Sequence, residues 1–226
     1  MIELRNLSKV YRLKGIAKPV ARNINFTFPT GECVALMGAN GAGKSTMLKM
    51  IAGTLSPDSG EIIRHGSVSW PVGFAGSFHP NLTGAQNVKF VARIYGIDTD
   101  EMVAFTRDFS ELGRHFDLPV RTYSSGMKSR LAFGMSMAVK FDTYLIDEIT
   151  AVGDGSFRAK SEAMLLDRLQ DSGAVFVSHS LEQMKRICQS GVVLQNGRFF
   201  YYAKVDKAVE HYEHLMKGRL PPWMQK

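Results

Sequence analysis

The sequence predicts an α/β fold whose mixed core is interrupted by a helical insertion and then resumed. Three observations predict it. Short apolar runs alternate with helical periodicities along the chain. One run, Cys33-Val34-Ala35-Leu36-Met37, is apolar at every position, as a strand covered on both faces requires. From about 83 to 140 the periodicity turns helical.

Taken in order, Ile24–Phe28 and Glu32–Met37 read as strands, and Ser45–Ala52 as a helix that stops at Gly53. The turn-forming run Leu55-Ser56-Pro57-Asp58-Ser59-Gly60 follows. Glu61–Arg64 and Ser67–Trp70 then read as a strand pair around His65-Gly66. Inside the insertion Val88, Val91, Ala92 and Tyr95 recur at helical spacing, and Met127–Val139 carries a second long helical pattern. Strands return at Thr143–Ile146, Ala174–Val177 and Val192–Gln195. Between 205 and 216, Ala208, Tyr212 and Leu215 share one helical face. The segment 219–226, with Pro221-Pro222, is expected to be a loose tail. The sequence holds no internal repeat and no low-complexity linker.

Composition bounds the partners. At 226 residues the chain fits one large domain, or one domain with an inserted subdomain. The 28 Lys and Arg outweigh 21 Asp and Glu for a formal charge of +7, which suits nucleotide, nucleic acid or an anionic lipid surface without choosing among them. Cys33 and Cys188 fit no metal-ligand spacing and read as buried small hydrophobes in a reducing compartment. Met1-Ile2-Glu3-Leu4 lacks the basic region and apolar run of a signal peptide. The longest charge-free stretch, 65–88, contains Pro71, Pro80 and four glycines, so a membrane-spanning helix is not expected there. Any membrane role is expected to come through a partner.

The chemistry concentrates at Gly38-Ala39-Asn40-Gly41-Ala42-Gly43-Lys44-Ser45, which fits the P-loop pattern between a buried strand and a helix. Glycines at 38, 41 and 43 let successive backbone N–H groups turn inward around phosphate oxygens, and the following helix adds its dipole. Lys44 is expected to reach the β- and γ-phosphates and the Ser45 hydroxyl to ligate Mg²⁺, with Asn40 and Thr46 among the nucleotide contacts. Asp147 ends the apolar run Tyr144-Leu145-Ile146, where such sheets place ligands, and is a second candidate for Mg²⁺. Glu148 follows directly as the candidate general base. The cofactors so implied are ATP and Mg²⁺.

Tyr123-Ser124-Ser125-Gly126-Met127 lies about twenty residues before Asp147 and immediately before a long helical pattern. It resembles the signature motif of ABC ATPases, usually Leu-Ser-Gly-Gly-Gln, although Ser125 and Met127 depart from it. The resemblance covers nearly the whole chain. It implies a P-loop NTPase core of the ABC ATPase type, with an antiparallel β subdomain and a helical subdomain inserted at about 83–140. Residues 1–218 would form a single nucleotide-binding domain with a short C-terminal helix at about 205–217. By the same resemblance Ser124, Ser125 and Gly126 contact nucleotide. Asp154, in Ala151-Val152-Gly153-Asp154, is the D-loop aspartate, and His179 is the switch histidine that touches the γ-phosphate. Tyr11 matches the aromatic that stacks on adenine; a core or surface aromatic is the alternative reading. The family's mechanism implies a head-to-tail homodimer, each ATP held between one chain's P-loop and the other's Ser124–Gly126 segment.

One family element is missing. The Gln expected after the strand near 72–75 is absent from Pro71-Val72-Gly73-Phe74-Ala75-Gly76-Ser77-Phe78-His79-Pro80. Gln86 is the nearest and is not assigned that role; Ser77 or a backbone group is left as the substitute. Together with Asn81-Leu82-Thr83-Gly84, the signature and Ala151–Asp154, this departure resembles the bacterial subfamily that exports polysaccharides. Its compact members serve capsular polysaccharide export, and relatives handle O-antigen or teichoic acid.

The resemblance therefore implies an ATPase at the cytoplasmic face of the inner membrane, working with a transmembrane permease and further envelope export components, with no direct nucleic-acid contact. The alternatives kept open are another ABC transporter cargo and a non-transport ABC ATPase acting on nucleic acid. The region from Trp70 to Tyr95, with Phe74, Phe78 and Phe90, reads either as the permease surface or as the core of the helical subdomain. Lys204, Lys207, Lys217 and Arg219 read as a solvated face, with anionic lipid the alternative.

Overall fold

The computed structural model describes residues 1–13, 15–73, 76, 78–147, 155–219 and 221. Glu148, Asp154 and Ser77 lie outside the described residues. The chain forms two compact units, one of Met1–Pro71, Phe141–Glu148 and Leu169–Lys226, the other of Val72–Lys140 and Ile149–Arg168.

The first unit holds two sheets. In the smaller one, β1 (Ile2–Leu13) pairs antiparallel with β2 (Ile16–Phe28) on one side and β4 (Ser59–Arg64) on the other. In the larger one the order is β5 (Val68–Pro71), β6 (Thr143–Asp147), β7 (Gly173–Val177), β3 (Cys33–Met37), β8 (Ser190–Gln195) and β9 (Arg198–Tyr202). Its first five strands are parallel and β9 closes the edge antiparallel. β3 and β7 are buried at every position, which is why they read as unbroken apolar runs.

The strand pair expected around His65-Gly66 does not form. β4 joins β1 in the small sheet, whereas β5 runs parallel to β6 in the large one. The diversion has a specific cause: the Asp142 carboxylate accepts the Ser67 N–H and the Ser67 hydroxyl, each at 2.7 Å. Those two bonds hold the start of β5 beside β6. Two strands also escaped the sequence reading, β1 and β9. β9 follows Asn196-Gly197, both at positive φ (52° and 77°), the two-residue turn that closes a hairpin on β8.

Between the sheets lies α1 (Lys44–Ile51). Its Met47, Leu48, Met50 and Ile51 share one core with Ile2, Leu4 and Leu7 of β1 and with Leu36, Val192 and Leu194 of the large sheet. Burying each such side chain contributes roughly 1.5–3 kcal/mol, enough to fix the helix that follows the glycine-rich loop. Its C-terminal carbonyls are closed by Arg64, whose guanidinium donates to Ile51 O at 2.7 Å and Met50 O at 2.8 Å. The last helix, α7 (Val205–Met216), buries Val205, Ala208, Val209 and His211. That stripe is rotated from the Ala208–Tyr212–Leu215 face read from sequence, and Tyr212 and Leu215 are only half-buried. Cys33 and Cys188 are both buried, as expected, with their sulfurs 3.0 Å apart. The hydrogen bond with Cys33 and burial together push the Cys188 thiol far above its ordinary range.

The second unit contains α2 (Gly84–Tyr95), α3 (Thr99–Ser110), α4 (Ser125–Ala138) and α5 (Gly155–Arg168). α2 opens with a capping box: Thr83 accepts the Gln86 N–H while the Gln86 side chain accepts the Thr83 N–H at 2.9 Å. Gln86 is therefore engaged in closing a helix end. Phe109 of α3 stacks with Phe133 of α4 and meets Phe157 of α5 edge-on. Lys160 and Arg130 both reach Glu111, at 2.7 and 3.5 Å, and tie α5 to α4. These contacts make α5 part of the helical unit, alongside the stretch from 83 to 140.

Candidate functional site

The order β6-β7-β3 sets three strand ends side by side, with Asp147 opposite Val177 in register. Ligands of open α/β sheets bind outside such carboxyl ends. A cavity of about 610 Å³ lies there. Its floor is the loop after β3 and the start of α1, through Asn40, Gly41, Gly43, Lys44, Ser45 and Thr46. Asp147, Val177 and His179 come from the ends of β6 and β7, and Tyr11, Lys18 and Val20 from β1 and β2.

The loop is shaped by its own backbone. Ala42 N–H donates to Ala39 O at 3.0 Å, closing a turn over Asn40 and Gly41. Gly43 caps α1 at φ 111°, and a Cβ there would stand inside the van der Waals shell of the Val20 side chain. Only glycine meets both conditions. Beyond it the start of α1 lines the cavity floor, and a helix N-terminus attracts anions. The Lys44 ammonium donates to Gly38 O at 2.6 Å and Ala39 O at 3.3 Å, which holds its charge beside the loop.

His179 is exposed and stands two residues past the end of β7. Its position is set by flanking serines: Ser178 donates to the Gln183 side chain at 3.0 Å and accepts the Ser180 N–H at 3.1 Å. Ser180 in turn caps α6 (Leu181–Ile187) through the Gln183 N–H at 3.2 Å. Tyr11 lines the cavity with 45% of its surface exposed, so it is not a core aromatic. Ser45, which carries a hydroxyl, and Asp147, which carries a carboxylate, both line the cavity. Hard oxygen donors of this kind suit Mg²⁺.

Of the residues singled out from sequence, Tyr11, Asn40, Gly41, Gly43, Lys44, Ser45, Thr46, Asp147 and His179 are thus brought to one cavity, and Gly38 holds the Lys44 ammonium. The described residues lining it all belong to the first unit. Ser124, Ser125 and Gly126 stand in the second unit at the start of α4, where Ser124 is the N-cap and accepts the Met127 N–H at 3.2 Å. Lys18 and Val20 were missed, and the signal was non-local. Lys18 lies directly opposite Tyr11 in the β1–β2 register, so finding it required the hairpin pairing.

Residues 21–151 match the family model described as "ABC transporter". The chain is 47% identical over 216 residues to the polysialic acid transport ATP-binding protein KpsT of Escherichia coli, covering 94% of this chain and 96% of that protein. It is 45% identical over 215 residues to the capsule polysaccharide export ATP-binding protein CtrD of Neisseria meningitidis serogroup B, covering 95% and 100%. The fold is similar to the ATP-binding cassette MJ0796 in a dimeric post-hydrolysis state bound to ADP and Pi, with a TM-score of 0.77 at 22% identity, covering 91% of this chain and 99% of that one.

Proposed function

The chain belongs to the ABC transporter ATP-binding family, and on that premise we propose that it is the ATPase powering capsular polysaccharide export through a separate permease. The observation that carries the reading is the gathering of Lys44, Ser45, Asp147 and His179 over one glycine-rich loop. The capsular cargo rests on the near full-length likeness to transport and export proteins of that kind.

Substrate ATP would lie with its base against Tyr11 and its β- and γ-phosphates over the loop, where backbone N–H groups and Lys44 balance their charge. Ser45 and Asp147 would hold Mg²⁺, which when bound neutralises phosphate charge. Glu148, directly after Asp147 in sequence, takes the proton of the attacking water. His179 donates to the γ-phosphate as the bond between its phosphorus and the β–γ bridging oxygen breaks.

Residues 1–218 act as one nucleotide-binding domain, and two copies pair head to tail. Each then offers its partner the N-terminus of α4, where Ser124, Ser125 and Gly126 present a hydroxyl and first-turn N–H groups to a γ-phosphate. Asp154 would serve as the D-loop aspartate, the role the family resemblance gives it. Among the described residues no helix is long and apolar enough to cross a membrane. The transmembrane path belongs to the permease, with this subunit at the cytoplasmic face of the inner membrane and further envelope components beyond it.

The test is ATP turnover and oligomeric state, with and without ATP, for wild type and Glu148→Gln. Loss of turnover by orders of magnitude and an ATP-dependent dimer in the variant support the mechanism. Unchanged turnover and a monomer would remove both Glu148 and the head-to-tail arrangement.

A further inference from the structure

We propose that Lys18 is a second phosphate-binding cation of this site, holding the polyphosphate of ATP from the hairpin wall of the cavity. The inference rests on the ATP-site reading and adds to it a residue that no part of the P-loop pattern contains.

Three observations converge on Lys18. Its register partner across β1–β2 is Tyr11, and directly opposed residues project from the same face of an antiparallel pair. Both side chains line the cavity. The Lys18 ammonium also lies 3.0 Å from the point where a Cβ on Gly41 would stand, so it rests over the loop itself. It is uncommitted in a way its neighbour is not: Lys9 of β1 is paired with Asp58 at 2.8 Å, whereas among the described residues no acidic side chain pairs with Lys18.

The chemistry selects the ligand. An ammonium is a compact charge with three donors on a flexible stem, suited to phosphate oxygens and indifferent to base identity. Standing between a ring that takes the base and a loop that takes the phosphates, it acts where charge accumulates along the nucleotide. Lys44 approaches the same loop from the helix side through the Gly38 and Ala39 carbonyls. The two cations would hold the polyphosphate from different elements of the chain.

The experiment is equilibrium binding of ATP and ADP at low and high salt for wild type, Lys18→Gln and Lys18→Arg. Removing the charge should weaken ATP about five- to twentyfold at low salt, the order expected for one charged hydrogen bond at an exposed site. The loss should be smaller for ADP and should shrink as salt rises, and Lys18→Arg should recover most of it. A merely structural lysine would instead give a salt-independent loss that Lys18→Arg leaves in place. That outcome overturns the proposal, as does equal ATP affinity in wild type and Lys18→Gln at low salt. Failure of wild type to bind ATP at all would instead overturn the nucleotide reading, so the two failures are separable.

Discussion

The ammonium of Lys44 and the carbonyl oxygen of Gly38 are 2.6 Å apart, joining the two ends of the loop that forms the cavity floor. The bond keeps the cation at the place where phosphate charge must be met. It also makes the exchange inexpensive, because an arriving phosphate replaces one oxygen acceptor with a more strongly charged one. Lys44→Ala should therefore weaken ATP by about ten- to a hundredfold, the range of a hydrogen bond to a charged group, while leaving the fold intact. Binding isotherms together with thermal melts check both halves. A variant that binds ATP like wild type would remove Lys44 from the site.

Ser124 supports a different kind of prediction, because it has two separable roles. As the N-cap of α4 it accepts the Met127 N–H, and its removal should cost about 1 kcal/mol of stability. In the proposed head-to-tail arrangement it would also face the partner's ATP. Ser124→Ala should then leave ATP binding by the isolated chain near wild type but depress turnover and ATP-driven dimerisation strongly. Ser124→Asp provides the control, since it keeps the cap while placing a negative charge against the γ-phosphate. If Ser124→Asp restores turnover, the interface role is wrong.

What could be read in advance follows the range of the interactions involved. The loop from Gly38 to Ser45 was legible because its pattern is local: glycines that take left-handed backbone, and a buried strand immediately before them. Asp147 was legible for the same reason, as the polar end of an apolar strand. The false strand pair around His65 shows the opposite case. Its outcome is decided by Asp142, 75 residues from Ser67 in sequence, and no pattern within 59–71 contains that information. Lys18 was invisible for a related reason, because its place depends on which residue of β1 stands opposite it. β9, by contrast, carried the short-range signal Asn196-Gly197 and could have been found.

His211 gives the fold a pH dependence with a definite sign. Its side chain is fully buried, with Nδ1 3.0 Å from the Tyr202 hydroxyl and Nε2 3.2 Å from the Gln195 side-chain oxygen. Burial, and secondarily the nearby His214, hold its pKa below the ordinary 6.5. Below 6.5 the unfolded chain therefore takes up the proton first, and acid favours unfolding. Stability should be complete above 6.5 and fall as pH drops through that value toward the folded-state pKa. Denaturant titrations at stepped pH should show this loss in wild type and a smaller one in His211→Phe. Equal slopes in the two proteins would assign the acid sensitivity elsewhere.

The surface of α2 bears on the proposed permease contact. Phe90 and Ile94 are each 61% exposed and stand one turn apart, with Tyr95 beside them. Trp70, by contrast, is engaged within its own unit by Phe141 at 5.3 Å. An exposed apolar pair on a capped helix contributes little to the stability of its own unit, so replacing it should cost little in folding. Phe90→Ser with Ile94→Ser should leave ATP affinity and the melting temperature of the isolated subunit near wild type, while lowering polysaccharide export in cells and recovery of the subunit with membranes. Polar residues there would desolvate poorly against an apolar partner and so weaken docking specifically. Full export by the double variant would move the contact away from α2, and a large drop in melting temperature would mean that these side chains serve the helical unit's own packing.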